Sequence, residues 1–303
     1  MKKVRLNQRS LAQLLSMLLF AFVIIGLMSC SDDEEGVSVN EVDEQSVEIL
    51  EDDQDAQDYE GQIESDLALL DLAEVNPGGR VFEEDTIPSD TAYSCATITH
   101  DRELKTITIE YDGDCVGFDG NVRKGTILIT YTDHYLIPDA VITKTWIDFT
   151  INDNQVEGTR TVTNISVDLA APPKFSVVLA GGIITFTDGT TIERDTDFEV
   201  EWIRAANPLN DELFKEGSAN GKSRRDVVYT MTITETIVRK KICTLDGVHI
   251  PVQGEKFIER EGLPNFTIDY GQGECDNEVT IIREDGVTRT VDNFQRFRNR
   301  HRG

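Results

Sequence analysis

Three features of this chain predict an all-β fold: an antiparallel meander forming a sandwich, half-barrel or barrel, with one short N-terminal helix. From Tyr93 onward, runs of alternating apolar and polar residues follow one another without a long helical pattern. Turn signals such as Gly181-Gly182, Asp188-Gly189, Asp246-Gly247 and Asp285-Gly286 punctuate those runs at hairpin spacing. A strand-and-cysteine motif occurs twice, as TITIEYDGDC over 106–115 and FTIDYGQGEC over 266–275, and frames the region.

The amino terminus reads differently. Lys2, Lys3, Arg5 and Arg9 precede an apolar run from Leu14 to Met28, which ends in Leu27-Met28-Ser29-Cys30. A basic start, an apolar run of this length and small residues before the break form a secretory signal over 1–29, too short for a comfortable membrane span. The rival, a short transmembrane anchor, gives Cys30 no role. Residues 31–66 hold 16 acidic side chains and no lysine or arginine. Such a block repels itself and buries too little apolar surface to offset chain entropy, so 30–58 is expected to be a disordered tether behind Cys30.

Removing the four cations of residues 1–29 takes the net charge from −27 to −31, and residues 67–303 carry −15 of it. A chain this acidic repels nucleic acid, which is excluded as a partner. The tail Arg296, Arg298, Arg300, His301 and Arg302 is a local basic exception, expected to lie against acidic surface of the same chain or to fray.

Within 59–79, Ile63, Leu67, Leu70 and Ala73 recur at helical spacing before the stop at Asn76-Pro77-Gly78-Gly79, which places the short helix there. The remainder, 80–303, is expected to be one β domain. In its first motif Ile107, Ile109 and Tyr111 share a face; in the second Phe266, Ile268 and Tyr270 do. The glycines and aspartates behind each run read as turns. Asp112, Asp114 and Asp119 lack the closing glutamate of a calcium loop. Val141, Thr143, Thr145, Ile147, Phe149 and Ile151 read as one face of a long strand, with Thr159, Thr161, Thr163, Ile165, Val167 and Leu169 on its return. Phe198, Val200 and Trp202, then Tyr229, Met231, Ile233 and Ile237, mark later inner faces, opposite threonines that keep the other side wet. Between them, 204–225 reads as a long polar insertion, either the natural seat for binding or a passive loop.

Five cysteines divide as one plus four. With Cys30 set apart, Cys95, Cys115, Cys243 and Cys275 allow three pairings in an oxidising compartment. Neighbourhood and the repeated motif favour Cys95 with Cys115 and Cys243 with Cys275. A zinc site from all four thiolates lacks a CxxC pair.

The chemistry of catalysis is thin. His100, His134, His249 and His301 have no ligand spacing, and no nucleophile elbow, HExxH or phosphate loop occurs. No catalytic residue, metal or cofactor is nominated. The pairs Asp195 with Asp197 and Glu199 with Glu201 read as a solvated strand face, and Trp146 and Trp202 as core residues rather than a sugar-stacking platform.

Resemblances add an address. Leu27-Met28-Ser29-Cys30 looks like a bacterial lipobox, in which Cys30 becomes the acylated first residue, and Ser31-Asp32-Asp33-Glu34-Glu35 resembles the acidic export tag of surface lipoproteins of Bacteroidetes. Asp85-Thr86-Ile87 and Asp90-Thr91-Ala92 resemble the Asp-Thr-apolar acceptor of O-glycosylation in that group, at Thr86 and Thr91. The order of TITIEYDGDCVGFDGNVRKGTILITY, VEGTRTVTN and IDYGQGECDNEVTI is similar to that in a family of Bacteroidetes outer-membrane lipoproteins. The resemblance implies a secreted β protein of the envelope, anchored in the outer membrane by lipid and displayed at the surface. It implies no activity. The expected role is binding or structural, toward a protein or glycan. One alternative is a periplasm-facing carrier holding an amphiphile in a curved β cup, and another a surface glycan hydrolase, which needs two carboxylates facing across a groove.

Overall fold

Alternation does most of the building. The computed structural model describes residues 39–60, 95–117 and 120–292, and by contacts the chain divides into Met1–Glu41 and Val42–Gly303. The second unit carries most of helix α1 (Val39–Glu60), and then strands β1 (Thr97–Asp101), β2 (Thr106–Val116), β3 (Val122–Tyr131), β4 (Val141–Ile151) and β5 (Asn154–Asn164). There follow β6 (Lys174–Thr185), β7 (Thr191–Ile203), β8 (Glu212–Lys222), β9 (Val228–Lys240), β10 (Gln253–Arg260), β11 (Leu263–Gln272), β12 (Glu278–Arg283) and β13 (Thr288–Asp292).

The 13 strands lie side by side in sequence order, every pair antiparallel. The expected all-β meander with one N-terminal helix is therefore the fold, and among the described residues the sheet is open, with β1 and β13 at its edges. A pure meander sends its connections alternately to two ends. One end, here the turn end, gathers the tight links after β2, β4, β6, β8, β10 and β12; the loop end gathers the longer segments 132–140, 165–173, 204–211 and 241–252.

Register makes the inner face continuous. Ile107, Ile129, Lys144, Arg160, Leu179, Thr196, Ala219, Met231, Ile258 and Phe266 oppose one another strand by strand from β2 to β11, and all are buried. Above and below this row, Phe149, Phe175, Phe198, Tyr229 and Ile268 join Val47, Ile49 and Leu50 of α1 in one core cluster. One cluster shared by strands from β2 to β13 and by α1 means that the sheet wraps the helix.

Three expectations are corrected. The helix lies at Val39–Glu60, inside the segment read as a disordered tether, and the helix expected over 63–73 lies outside the described residues. Self-repulsion presumes carboxylates facing water, and here several face cations. Second, 204–225 is no insertion, because β8 runs through it and pairs with both β7 and β9. Its sequence ELFKEGSANGK has weak strand propensity, yet two flanking ladders override it. Gly217, at φ 117, lets the Asp197 carbonyl come to 2.2 Å from where a Cβ would stand.

Third, the face drawn along β4 changes partway. Ile142, Lys144 and Trp146 point in and Ile147 is exposed, whereas Phe149 and Ile151 point in. The switch falls at a bulge, where pairing with β5 shifts between Thr145 and Phe149, Asp148 adopts φ 46, and Gly125 of β3 gives it room. The threonines of β5 face outward as a row, with Val162 inward, and the strand ends at Asn164, which leaves Ile165, Val167 and Leu169 in a loop.

Candidate functional site

Asp53 sits on the α1 stripe that turns toward the sheet, with Ile49, Leu50 and Ala56 as buried neighbours. Its carboxylate meets two inward cations. Arg194 of β7 approaches Oδ1 at 2.7 Å, and Lys256 of β10 donates to Oδ2 at 2.6 Å. Arg194 also donates to the Asp53 carbonyl at 3.0 Å, and Gln57, one turn on, donates to the carboxylate at 2.9 Å. Both cations point inward because they occupy inner positions of their strands: Ile192, Arg194, Thr196, Phe198 and Val200 alternate along β7, and Lys256 opposes Ile268.

Burial alone would raise the pKa of Asp53. Arg194 and Lys256 outweigh it and hold the carboxyl far below the usual range, and the ion pair in turn raises Lys256 against its own desolvation. Lys215 of β8 shares this interior. It opposes Val200 and Ile237, and its ammonium lies 4.5 Å from the Phe198 ring centre. The residue as a whole is half-buried, but its charged tip is desolvated; that burial, helped by Lys256 and Arg194 as like charges, pushes its pKa down to about 7.

A second set of contacts ties α1 to the turn end. The Arg224 backbone N–H donates to Asp52 at 2.9 Å, its guanidinium reaches Asp55 at 2.9 Å, and it stacks 3.3 Å over Phe186. Arg225 pairs with Glu48 at 2.6 Å. Burial pushes Asp52 up to about 6 against the pull of Arg224, and also raises Glu48. Tyr59 accepts from Asn154 at 2.7 Å and meets Phe186 edge-on. Deeper along the inner row, Lys144 and Arg160 oppose each other in register, with Lys144 5.0 Å over Trp146.

This is a cationic, aromatic-lined floor that holds an acidic helix. It binds carboxylates in a water-poor setting, where each pairing is strong and each loss costly.

The cysteines pair as Cys95 with Cys115 and Cys243 with Cys275, the former joining the chain just before β1 to β2 past its bulge and the latter between loops at the loop end. Cys30, Thr86, Thr91, Asp119 and the basic tail lie outside the described residues. Asp195, Asp197, Glu199 and Glu201 form an outward row along one strand, where Asp195 accepts from Gly181 and Glu199 pairs with Lys174. Trp146 is buried inside while Trp202 donates to Asp211 at 3.0 Å, so the two form no common platform. His100 bonds Tyr131 and His134 stacks on Tyr135; among the described residues no three His, Cys, Asp or Glu side chains cluster as metal ligands.

Sequence reading missed the floor. The available signal was a basic residue at an inward position, as at Arg194 between Ile192 and Thr196, which marks a buried acidic partner somewhere in the chain. Comparison of the chain with protein-family models, with curated proteins and with solved structures returned no match.

Proposed function

We propose that this is a lipid-anchored protein of the outer membrane, displayed at the cell surface, with a binding or structural role toward a protein or glycan. The observation that carries the reading is the division of the cysteines. All four in the body pair with one another, which leaves Cys30, directly behind the apolar leader, for acylation. Buried methylenes of an acyl chain contribute about 0.8 kcal/mol each, so several chains on Cys30 hold the protein durably. Mass spectrometry of the N-terminal peptide from native envelopes is expected to show acylated Cys30, and Cys30→Ser to release the protein from the membrane fraction. An unmodified Cys30 ends the reading. Protease added to intact cells is expected to trim the body; full protection would instead place it in the periplasm. Glycosylation at Thr86 and Thr91 belongs to the same address, and a mature mass equal to the acylated polypeptide removes it.

The carrier alternative has one observation in its favour. The inner face that holds α1 sets Lys144, Arg160, Lys215 and Lys256 among large apolar side chains, the chemistry that an acidic head group and an acyl tail require. Native mass spectrometry of Asp53→Asn protein is the measurement: co-purifying anionic lipid supports the carrier, and bare protein rejects it.

A further inference from the structure

The loop end of the sheet exposes aliphatic side chains on adjoining loops. Val167 is 88% exposed, Leu169 68% and Leu245 65%, with Ile137, Leu209 and Ile242 in loops of the same end at lesser exposure. The loops are neighbours. The Asp139 N–H donates to the Asn164 carbonyl at 2.9 Å, the Trp202 N–H to the Pro173 carbonyl at 2.8 Å, and the Lys241 N–H to the Asp211 carbonyl at 3.0 Å. The most apolar of them, 165–173 (ISVDLAAPP), is built to stand out. Asp168 accepts from the N–H groups of Ala170 and Ala171, and Ser166 accepts from the Lys174 N–H, so the turn is ordered with its side chains outward. Soluble proteins rarely gather aliphatic side chains this exposed on adjoining loops without a use.

We propose that this rim docks on a phospholipid leaflet, its aliphatic tips entering the interfacial layer. The choice of a bilayer rests on the anchor reading above. Only eight residues, 31–38, separate Cys30 from α1, at most about 28 Å of extended chain, so an acylated Cys30 keeps the body close to a leaflet. The tips also project from separate loops rather than lining a groove, a form suited to insertion into a soft surface. Lys105, Arg204 and Lys241 border the rim together with Asp133 and Asp246, so the attachment is apolar rather than electrostatic.

The test uses the unacylated full mature chain, from Ser31 onward, with vesicles of phosphatidylcholine and phosphatidylethanolamine. Wild-type protein is expected to float with the vesicles, and salt at about 0.5 M to leave that unchanged. Val167→Asp with Leu169→Asp is expected to lower partition by about tenfold or more. Val116→Asp with Val228→Asp, at exposed valines of the turn end, is expected to leave it intact. Near-UV circular dichroism checks that each variant folds, and Val167→Ser with Leu169→Ser replaces the aspartates if they do not. Absence of wild-type flotation, equal loss in both pairs of variants, or binding that needs anionic lipid and is released by salt would overturn the proposal. So would a rim-dependent dimer that ignores vesicles, which would give the surface to a second copy. Flotation with Cys30 unmodified in native envelopes would sink the anchor and keep the rim.

Discussion

At the turn end of the sheet, Arg224, Arg225, Asn154 and Phe186 all engage α1, and the links between strands are short and polar. At the loop end the connections are long, and aliphatic side chains face outward. The difference shows how one meander divides its work: charge at the first end is satisfied against α1, while highly exposed loop side chains, Val167, Leu169 and Leu245, stand at the second. Stability is therefore expected to depend strongly on the contacts of α1 and scarcely on the rim.

The strongest break of that contrast is at Asp53. Asp53→Ala strands Arg194 and Lys256 in the interior, and urea unfolding is expected to show a loss of about 3–5 kcal/mol. Adding Lys256→Met should recover part of it, because a missing partner costs more than a missing pair. Recovery of nothing would mean that Asp53 acts through packing alone.

The disulfides sharpen the comparison, one lying at each end. Replacing either pair by serine should cost about 3–4 kcal/mol, slightly more at the loop end, where Cys243 and Cys275 are 32 residues apart against 20 for Cys95 and Cys115. The reverse order would show that the turn end, with α1, resists unfolding through more than its loop length.

The two neighbouring aspartates respond to pH in opposite ways. Asp52 titrates near 6 when folded and near 3.8 otherwise, so the native state holds its proton more tightly. The stability this contributes is complete below about pH 4 and lost as pH rises through about 6. Asp52→Asn should therefore gain about 2 kcal/mol relative to wild type between pH 4 and pH 8, read from paired unfolding curves. Asp53 contributes stability above its unfolded value and keeps it until strong acid. Lys215, depressed to about 7, contributes in alkaline solution and loses that as pH falls through neutrality. A pH-independent Asp52→Asn difference would mean that Arg224 neutralises Asp52 fully. The smallest effect is at the rim, where Leu169→Ser should move the midpoint by no more than about 0.5 kcal/mol.

Much of the sheet was legible because pleating is local. Ile107, Ile109 and Tyr111 face inward as alternation requires, as do Phe198 with Val200 and Tyr229 with Met231. Where the pattern misled, a longer-range cause was at work. The bulge at Asp148 reverses the face of β4, and β8 forms from a glycine-containing, polar stretch because β7 and β9 lie on either side of it. Helix α1 was hidden by its own chemistry: Ser46, Asp53 and Gln54 stand among its buried residues and break the apolar stripe that reveals a core helix.

By itself the sequence determined the antiparallel all-β class and the strand-forming runs and favoured the cysteine pairing found, since pleat parity and chain proximity act over a few dozen residues at most. Only the tertiary structure decided that the acidic segment is a buried helix and that the aliphatic loops gather at one end. The carboxylate of Asp53 finds Arg194 141 residues away and Lys256 203 residues away, and whether an acidic helix is solvated or enclosed depends on cations at that distance.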